Sequence, residues 1–223
     1  MTVPFSSREV RWFFEGAATQ HQALRHWYET AAPFERIGKA RQPGLPDAPA
    51  RTDVYLVLPA ADGMGFKWRE GEFQIKGRVA SAGIQVFGGR HQGAVEGWVK
   101  WSYRNVPAAY RRLFDATSGN GLITVPVVKR RVLRRVRLDP LTGGAHEVDA
   151  SAQVDRGAAF ELTDLEVHGR AYCSVAFEAF PNDAGMDAAF TAAVETFLAP
   201  LADVTLAAAT SMSYPTWLQR ITA

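Results

Sequence analysis

The segment Phe66-Lys67-Trp68-Arg69-Glu70-Gly71-Glu72-Phe73-Gln74-Ile75-Lys76-Gly77-Arg78 narrows the folds open to this chain more than any other. Two short alternating runs flank Glu70-Gly71-Glu72, and a glycine between such runs predicts a β-hairpin. Successive side chains on a strand point to opposite faces. In the first arm Lys67 and Arg69 therefore share one face, and Phe66 and Trp68 the other. In the second arm Gln74, Lys76 and Arg78 oppose Phe73 and Ile75. A face wetted by bulk water ordinarily mixes both signs of charge. Neighbouring arms that gather cations on one side and apolar groups on the other point to part of an anion site.

The same alternation recurs. Ser7 to Phe14 predicts a strand with Glu9 and Arg11 on its polar face, and Arg51 to Leu58 one with Asp53, Tyr55 and Val57 together. Val79 to Gly93 carries Ile84, Val86 and Phe87 and then a Gly-Gly turn; Ala94 to Tyr103 places Glu96, Trp98, Lys100 and Ser102 on one face. Ile123 to Leu138 is a long strand in which Lys129, Arg131, Arg135 and Arg137 share a parity. Arg130 and Arg134 fall on its other face, with Val128, Val132 and Val136. Ala158 to Val167, with Glu161 and Thr163 on one face, and Ala171 to Phe180, with Ser174, Ala176 and Glu178, form the next pair. Helical spacing predicts helices over Ala17 to Thr30, over Pro107 to Ala116 with Gly119 beyond its end, and over Gly185 to Leu198. Ser213 to Leu218 reads as a closing cap, Arg36 to Ala50 as a proline-rich loop, and Asp139 to Gly144 as a turn.

At 223 residues, 47% of them apolar, the chain has the length and composition for one domain, residues 1–223, around a sizeable core. A formal charge of +2 is too close to neutral for a general nucleic-acid binder, so any role of positive charge depends on local clustering. Cys173 is the only cysteine, which excludes an internal disulfide and a cysteine-based metal site. His21, His26, His91, His146 and His168 lack ligand spacing. Met1 to Arg11 has no apolar signal-peptide core and no run is long enough to span a membrane, so a cytoplasmic setting without membrane or nucleic-acid partners is expected. Many short strands broken by a few helices indicate an α+β fold, a mainly antiparallel barrel with flanking helices.

If that sheet closes with its polar faces inward, Arg11, Lys67, Arg69, Lys76, Arg78, Lys100, Lys129, Arg131, Arg135 and Arg137 meet Glu9, Glu96, Glu161 and Glu178 in one lumen. Like charges gathered away from water repel and are costly to desolvate. A polyanion relieves them, and phosphoryl oxygens suit arginine forks and lysine point charges.

In the order of these pieces the chain resembles the CYTH domains, or triphosphate tunnel metalloenzymes. The likeness is carried by Glu9-Val10-Arg11, Asp53-Val54-Tyr55, Lys67-Trp68-Arg69, Gln74-Ile75-Lys76, Lys129-Arg130-Arg131, and the late Glu161 and Glu178. It implies a closed tunnel of about eight antiparallel strands that takes a triphosphate-containing small molecule and hydrolyses it with Mg²⁺ or Mn²⁺. Glu9, Glu161 and Glu178 would then be the catalytic, metal-holding acids. Arg11, Lys67, Arg69, Lys76, Arg78, Lys100, Lys129, Arg131 and Arg135 would bind substrate. The family opens on Glu-x-Glu-x-Lys; here Ser7 stands in place of the first glutamate and Arg11 in place of the lysine. That change supports an alternative, a non-catalytic module for phosphate, polyphosphate or another acidic ligand. A third reading is a barrel for an amphipathic organic ligand, lined by Trp12, Phe13, Tyr55 and Trp98.

Overall fold

In the computed structural model, residues 4–38, 49–115, 123–139 and 144–223 are described. The strands are β1 (Phe5–Glu15), β2 (Glu35–Arg36), β3 (Arg51–Val57), β4 (Met64–Arg69), β5 (Glu72–Phe87), β6 (His91–Tyr103), β7 (Ile123–Leu138), β8 (Ala145–Val148), β9 (Gly157–Val167) and β10 (Arg170–Phe180). The helices are α1 (Gln22–Thr30), α2 (Ala108–Arg112), α3 (Met186–Leu198) and α4 (Tyr214–Thr222). Strand order runs β7-β3-β4-β5-β6-β1-β10-β9, and β9 pairs back onto β7. The sheet is therefore a closed, eight-stranded antiparallel barrel, and closure removes every free edge along the paired stretches. Strand β8 continues along the β3 edge of β7, at Arg135–Leu138, and β2 pairs in parallel with β8.

The hairpin forms as expected but turns more tightly. Glu70 and Gly71 both have positive φ, +48° and +81°, so the turn has two residues and Glu72 already pairs with Arg69. Gln74 lies opposite Lys67, which puts the cations of both arms on one side. Beyond the hairpin, β5 continues to Phe87, with register shifts against β6 between Arg78 and Ala80 and between Ser81 and Gly83, and Gly88-Gly89 makes the turn into β6.

Outward-facing residues pack under the helices. Val10, Trp12, Phe160, Val175 and Phe177 form one core with Leu24, Trp27 and Tyr28 of α1 and Met186, Phe190, Val194 and Phe197 of α3. The expected helix at Ala17 to Thr30 is split: Ala18–Gln20 is a 3-10 turn, and the helix proper begins at Gln22. The Asp164 side chain on β9 accepts from the Ala18 amide at 2.6 Å, so the first turn is anchored to the sheet. Arg134 of β7 is buried; it donates to the Tyr28 and Ala31 carbonyls at the end of α1 and forks onto Glu147 at 2.7 Å through both Nε and Nη2.

A second core lies inside the barrel. Phe13, Tyr55, Val57, Val125, Val127, Leu165, Val167 and Tyr172 enclose Trp217 and Leu218 of α4. The Phe13 and Trp217 rings stack at 4.5 Å, 4° from parallel. Ser213 caps α4 by accepting from the Thr216 amide. The expected closing cap thus inserts into one end of the lumen.

Helix α2 is shorter than its expected span, with Pro107 as its N-cap; Ala116 and Gly119 lie outside the described residues, as do 39–48 of the expected loop and 140–143 of the expected turn. Glu35–Arg36 and Ala145–Val148 are strands not anticipated from the sequence. Among the described residues no helix is long and apolar enough to cross a membrane.

Candidate functional site

Beside the apolar plug the lumen holds a cavity of about 160 Å³, lined by eight basic side chains and four glutamates. Of the residues expected to bind substrate, Arg11, Lys67, Arg69, Lys76, Lys100, Lys129 and Arg131 line it; so do the expected acids Glu9, Glu161 and Glu178, together with Glu96. They come from β1, β4, β5, β6, β7, β9 and β10, almost the whole circumference. Arg78 does not reach the cavity wall: its two terminal nitrogens donate to Glu96 and Asp62 at 2.7 and 2.9 Å. Arg135 donates to the Ala152 carbonyl and also stands outside the wall. Arg137 is exposed.

Most of the acids are matched to cations. Glu161 accepts from Arg11 and Thr163 on Oε1, each at 2.9 Å, and from Arg131 on Oε2 at 3.3 Å. Burial by itself would raise this carboxyl; Arg11 and Arg131 outweigh it and hold the group well below the usual carboxylate range. The same pairing keeps Arg11 charged despite burial.

Asp53 was not among the expected site residues, although its parity with Arg51 and Tyr55 is plain in the sequence. It has no exposed surface and lies 3.2 Å from both Lys67 and Lys129, and 3.4 Å from Arg51. One carboxylate cannot fully offset two buried ammonium groups. Burial, against the pull of Asp53, lowers Lys67 to about 7 and Lys129 to about 8. Lys129 also donates to the Tyr55 hydroxyl at 2.6 Å and sits 3.9 Å over the Tyr214 ring. Tyr214 enters from α4, a contribution with no signal in the sequence beyond its place in the closing cap.

Glu9 and Glu178 face each other across β1 and β10. Lys76 donates to Glu9 and lies 3.8 Å from Glu178. Ser7, fully buried, donates to the same Glu9 oxygen at 2.8 Å. Burial would raise Glu9, but Lys76, Glu178 and Arg11 bring it down to about 2. Glu178 goes the other way: burial and the Glu9 carboxylate push it up to about 7. The pair therefore favours one charge and one shared proton.

The donor set does not fit a resident divalent metal. Both oxygens of Glu161 are taken by guanidinium groups and Glu9 is taken by an ammonium group. Among the described residues no three His, Cys, Asp or Glu side chains gather in metal-holding geometry.

Surplus positive charge collects on the β4–β5–β6 wall. Among the described residues Lys100 has no carboxylate within ion-pair distance and lies 4.7 Å over the Phe5 ring; Arg69 pairs only with Glu70, which is largely exposed, at 3.4 Å. Of the rings expected to line a pocket for an organic ligand, Tyr55 and Trp98 do line the cavity, Trp98 with its indole N–H on Glu96 at 3.2 Å; Trp12 packs outside the barrel and Phe13 belongs to the apolar core inside it.

No known protein family and no curated protein matches this sequence. Among solved structures, a conserved hypothetical protein from Pyrococcus furiosus is similar over 85% of this chain and 90% of its own, with 10% identity and a TM-score of 0.33.

Proposed function

We propose that this chain is a divergent CYTH-like tunnel protein whose lumen binds a small, phosphate-rich anion such as a triphosphate. The observation that carries the reading is the convergence of eight basic side chains from separate strands on one cavity, where four glutamates in the lining and Asp53 behind it oppose them. Lys100 and Arg69 are the least compensated cations open to an anion there. Lys67, Lys76 and Arg131 line the same cavity, and charge-assisted hydrogen bonds to phosphoryl oxygens are the strong ones. The guanidinium and ammonium groups already stand in position, held by Asp53, Glu161 and Glu9, so little ordering is needed on binding. A buried free thiol at Cys173 accords with a cytoplasmic setting.

Calorimetric titration of sodium tripolyphosphate tests the reading. Lys100→Ala and Arg131→Ala should each weaken binding about tenfold or more, since a hydrogen bond to a charged group is worth roughly 1.5–3 kcal/mol. Absence of binding to the wild type, or wild-type affinity in both variants, defeats it.

Hydrolysis assisted by Mg²⁺ or Mn²⁺ is the second reading. The resemblance implies it, and Glu9, Glu161 and Glu178 line the cavity, but it requires the pairs of Glu161 with Arg11 and Arg131 and of Glu9 with Lys76 to open. Colorimetric phosphate release from tripolyphosphate, thiamine triphosphate and ATP with either ion separates an enzyme from a binding module.

A further inference from the structure

Glu178, Glu9 and Glu96 stand side by side on β10, β1 and β6, each the direct cross-strand partner of the next. All three line the cavity. Carboxylates in such a row repel one another unless cations lie among them. Arg78 supplies one, on Glu96 at 2.7 Å. Lys76 supplies the other: its ammonium group donates to Glu9 and lies 3.8 Å from Glu178, between the two acids. Ser7, next along the inward face of β1, spends its hydroxyl on Glu9.

We infer that Lys76 is a built-in counter-cation: it fills the place between Glu9 and Glu178 that a divalent metal would otherwise take, and the tunnel holds its anion without Mg²⁺ or Mn²⁺. The second half rests on the reading of the lumen as an anion site. Hard divalent ions need several oxygen ligands. At Glu161 a metal would have to compete with the guanidinium groups of Arg11 and Arg131. A metal at Glu9 would have to evict a tethered ammonium group into a cavity that already carries surplus positive charge. A phosphate chain complexed with Mg²⁺ also carries less negative charge than the free chain, so the surplus cations select the free form.

Two measurements on the wild-type protein and one on a variant decide this. Titration of Mn²⁺ alone, followed by electron paramagnetic resonance, should leave the free-ion signal of the wild type undiminished. In Lys76→Ala the released Glu9–Glu178 pair should take up Mn²⁺ and reduce that signal. Calorimetry with tripolyphosphate should give the same affinity with and without EDTA, and weaker binding in excess Mg²⁺. Mn²⁺ uptake by the wild type equal to that of the variant overturns the placement of Lys76, and binding that vanishes in EDTA overturns the metal-free site. Should Lys76→Ala fail to fold, the wild-type measurements alone support or overturn the inference. If tripolyphosphate binds under no condition, the anion reading falls, while the Mn²⁺ titration still decides the role of Lys76.

Discussion

Lys129 and Asp53 form an ion pair of 3.2 Å inside the barrel, with 5% and 0% of their side chains exposed. The pair joins β7 to β3 where the wet cavity meets the apolar plug. Asp53→Asn would leave Lys129 buried without a counter-charge, and Lys67 less well matched. The expected loss is about 3–5 kcal/mol of unfolding free energy in urea titration. Replacing both members, Asp53→Asn with Lys129→Met, should recover much of that loss, because no uncompensated charge remains at the Lys129 position.

The pH dependence of stability follows from the Glu9–Glu178 pair. Glu178 is raised from 4.5 to about 7 in the fold, so between those values the folded state holds a proton that the unfolded chain has released. Its contribution is present below pH 4.5 and is lost as pH rises through about 7. Glu178→Gln should therefore flatten the decline of stability across that window, measured as urea midpoints at successive pH values. Glu9 acts in the opposite sense: lowered to about 2, it contributes above pH 4.5, and that contribution is lost as pH falls toward 2.

Trp217 closes the lumen by stacking on Phe13 and meeting the edge of Tyr172 at 5.3 Å. Trp217→Ala should cost about 3–5 kcal/mol, the usual penalty for removing a buried aromatic ring. Near-ultraviolet circular dichroism should lose signal at the same time. An unchanged unfolding midpoint would show that α4 does not plug the barrel.

Arg134 and Glu147 form a buried fork, each 5% exposed, that ties β8 to β7, while Arg134 also binds the end of α1. Arg134→Met should destabilise by roughly 3–5 kcal/mol, as breaking one side of a buried pair does. Arg137→Ala on the same strand is exposed and should change stability by no more than about 0.5 kcal/mol.

Much of the barrel is legible before any tertiary information. Period-two alternation follows from backbone geometry alone, so β1, the β4–β5 hairpin, β6, β7, β9 and β10 can be found in the sequence, and so can the charged face of each. Residues missed by sequence reasoning have partners far away in the chain. Glu35–Arg36 is too short to show a period, and it pairs in parallel with β8, more than a hundred residues later. Arg134 is correctly placed on the face of Val132 and Val136, yet nothing local reveals that Glu147 and the carbonyls of α1 neutralise it there. Asp53 shows its parity but not its burial.

Two properties are written in the chain itself: which side chains share a face, and the sign of charge that face carries. Closure of the sheet decided the rest. Along β1 the inward face passes from Ser7, Glu9 and Arg11 to Phe13, and only the insertion of α4 makes the first part a wet cavity and the last a plug. Which acid answers which base was also settled in three dimensions. Arg11 meets Glu161 from 150 positions away, and only the register of β1 on β10 and of β10 on β9 brings such groups together. Alternation is a local consequence of the extended backbone, whereas ion pairing depends on distances set by distant strands.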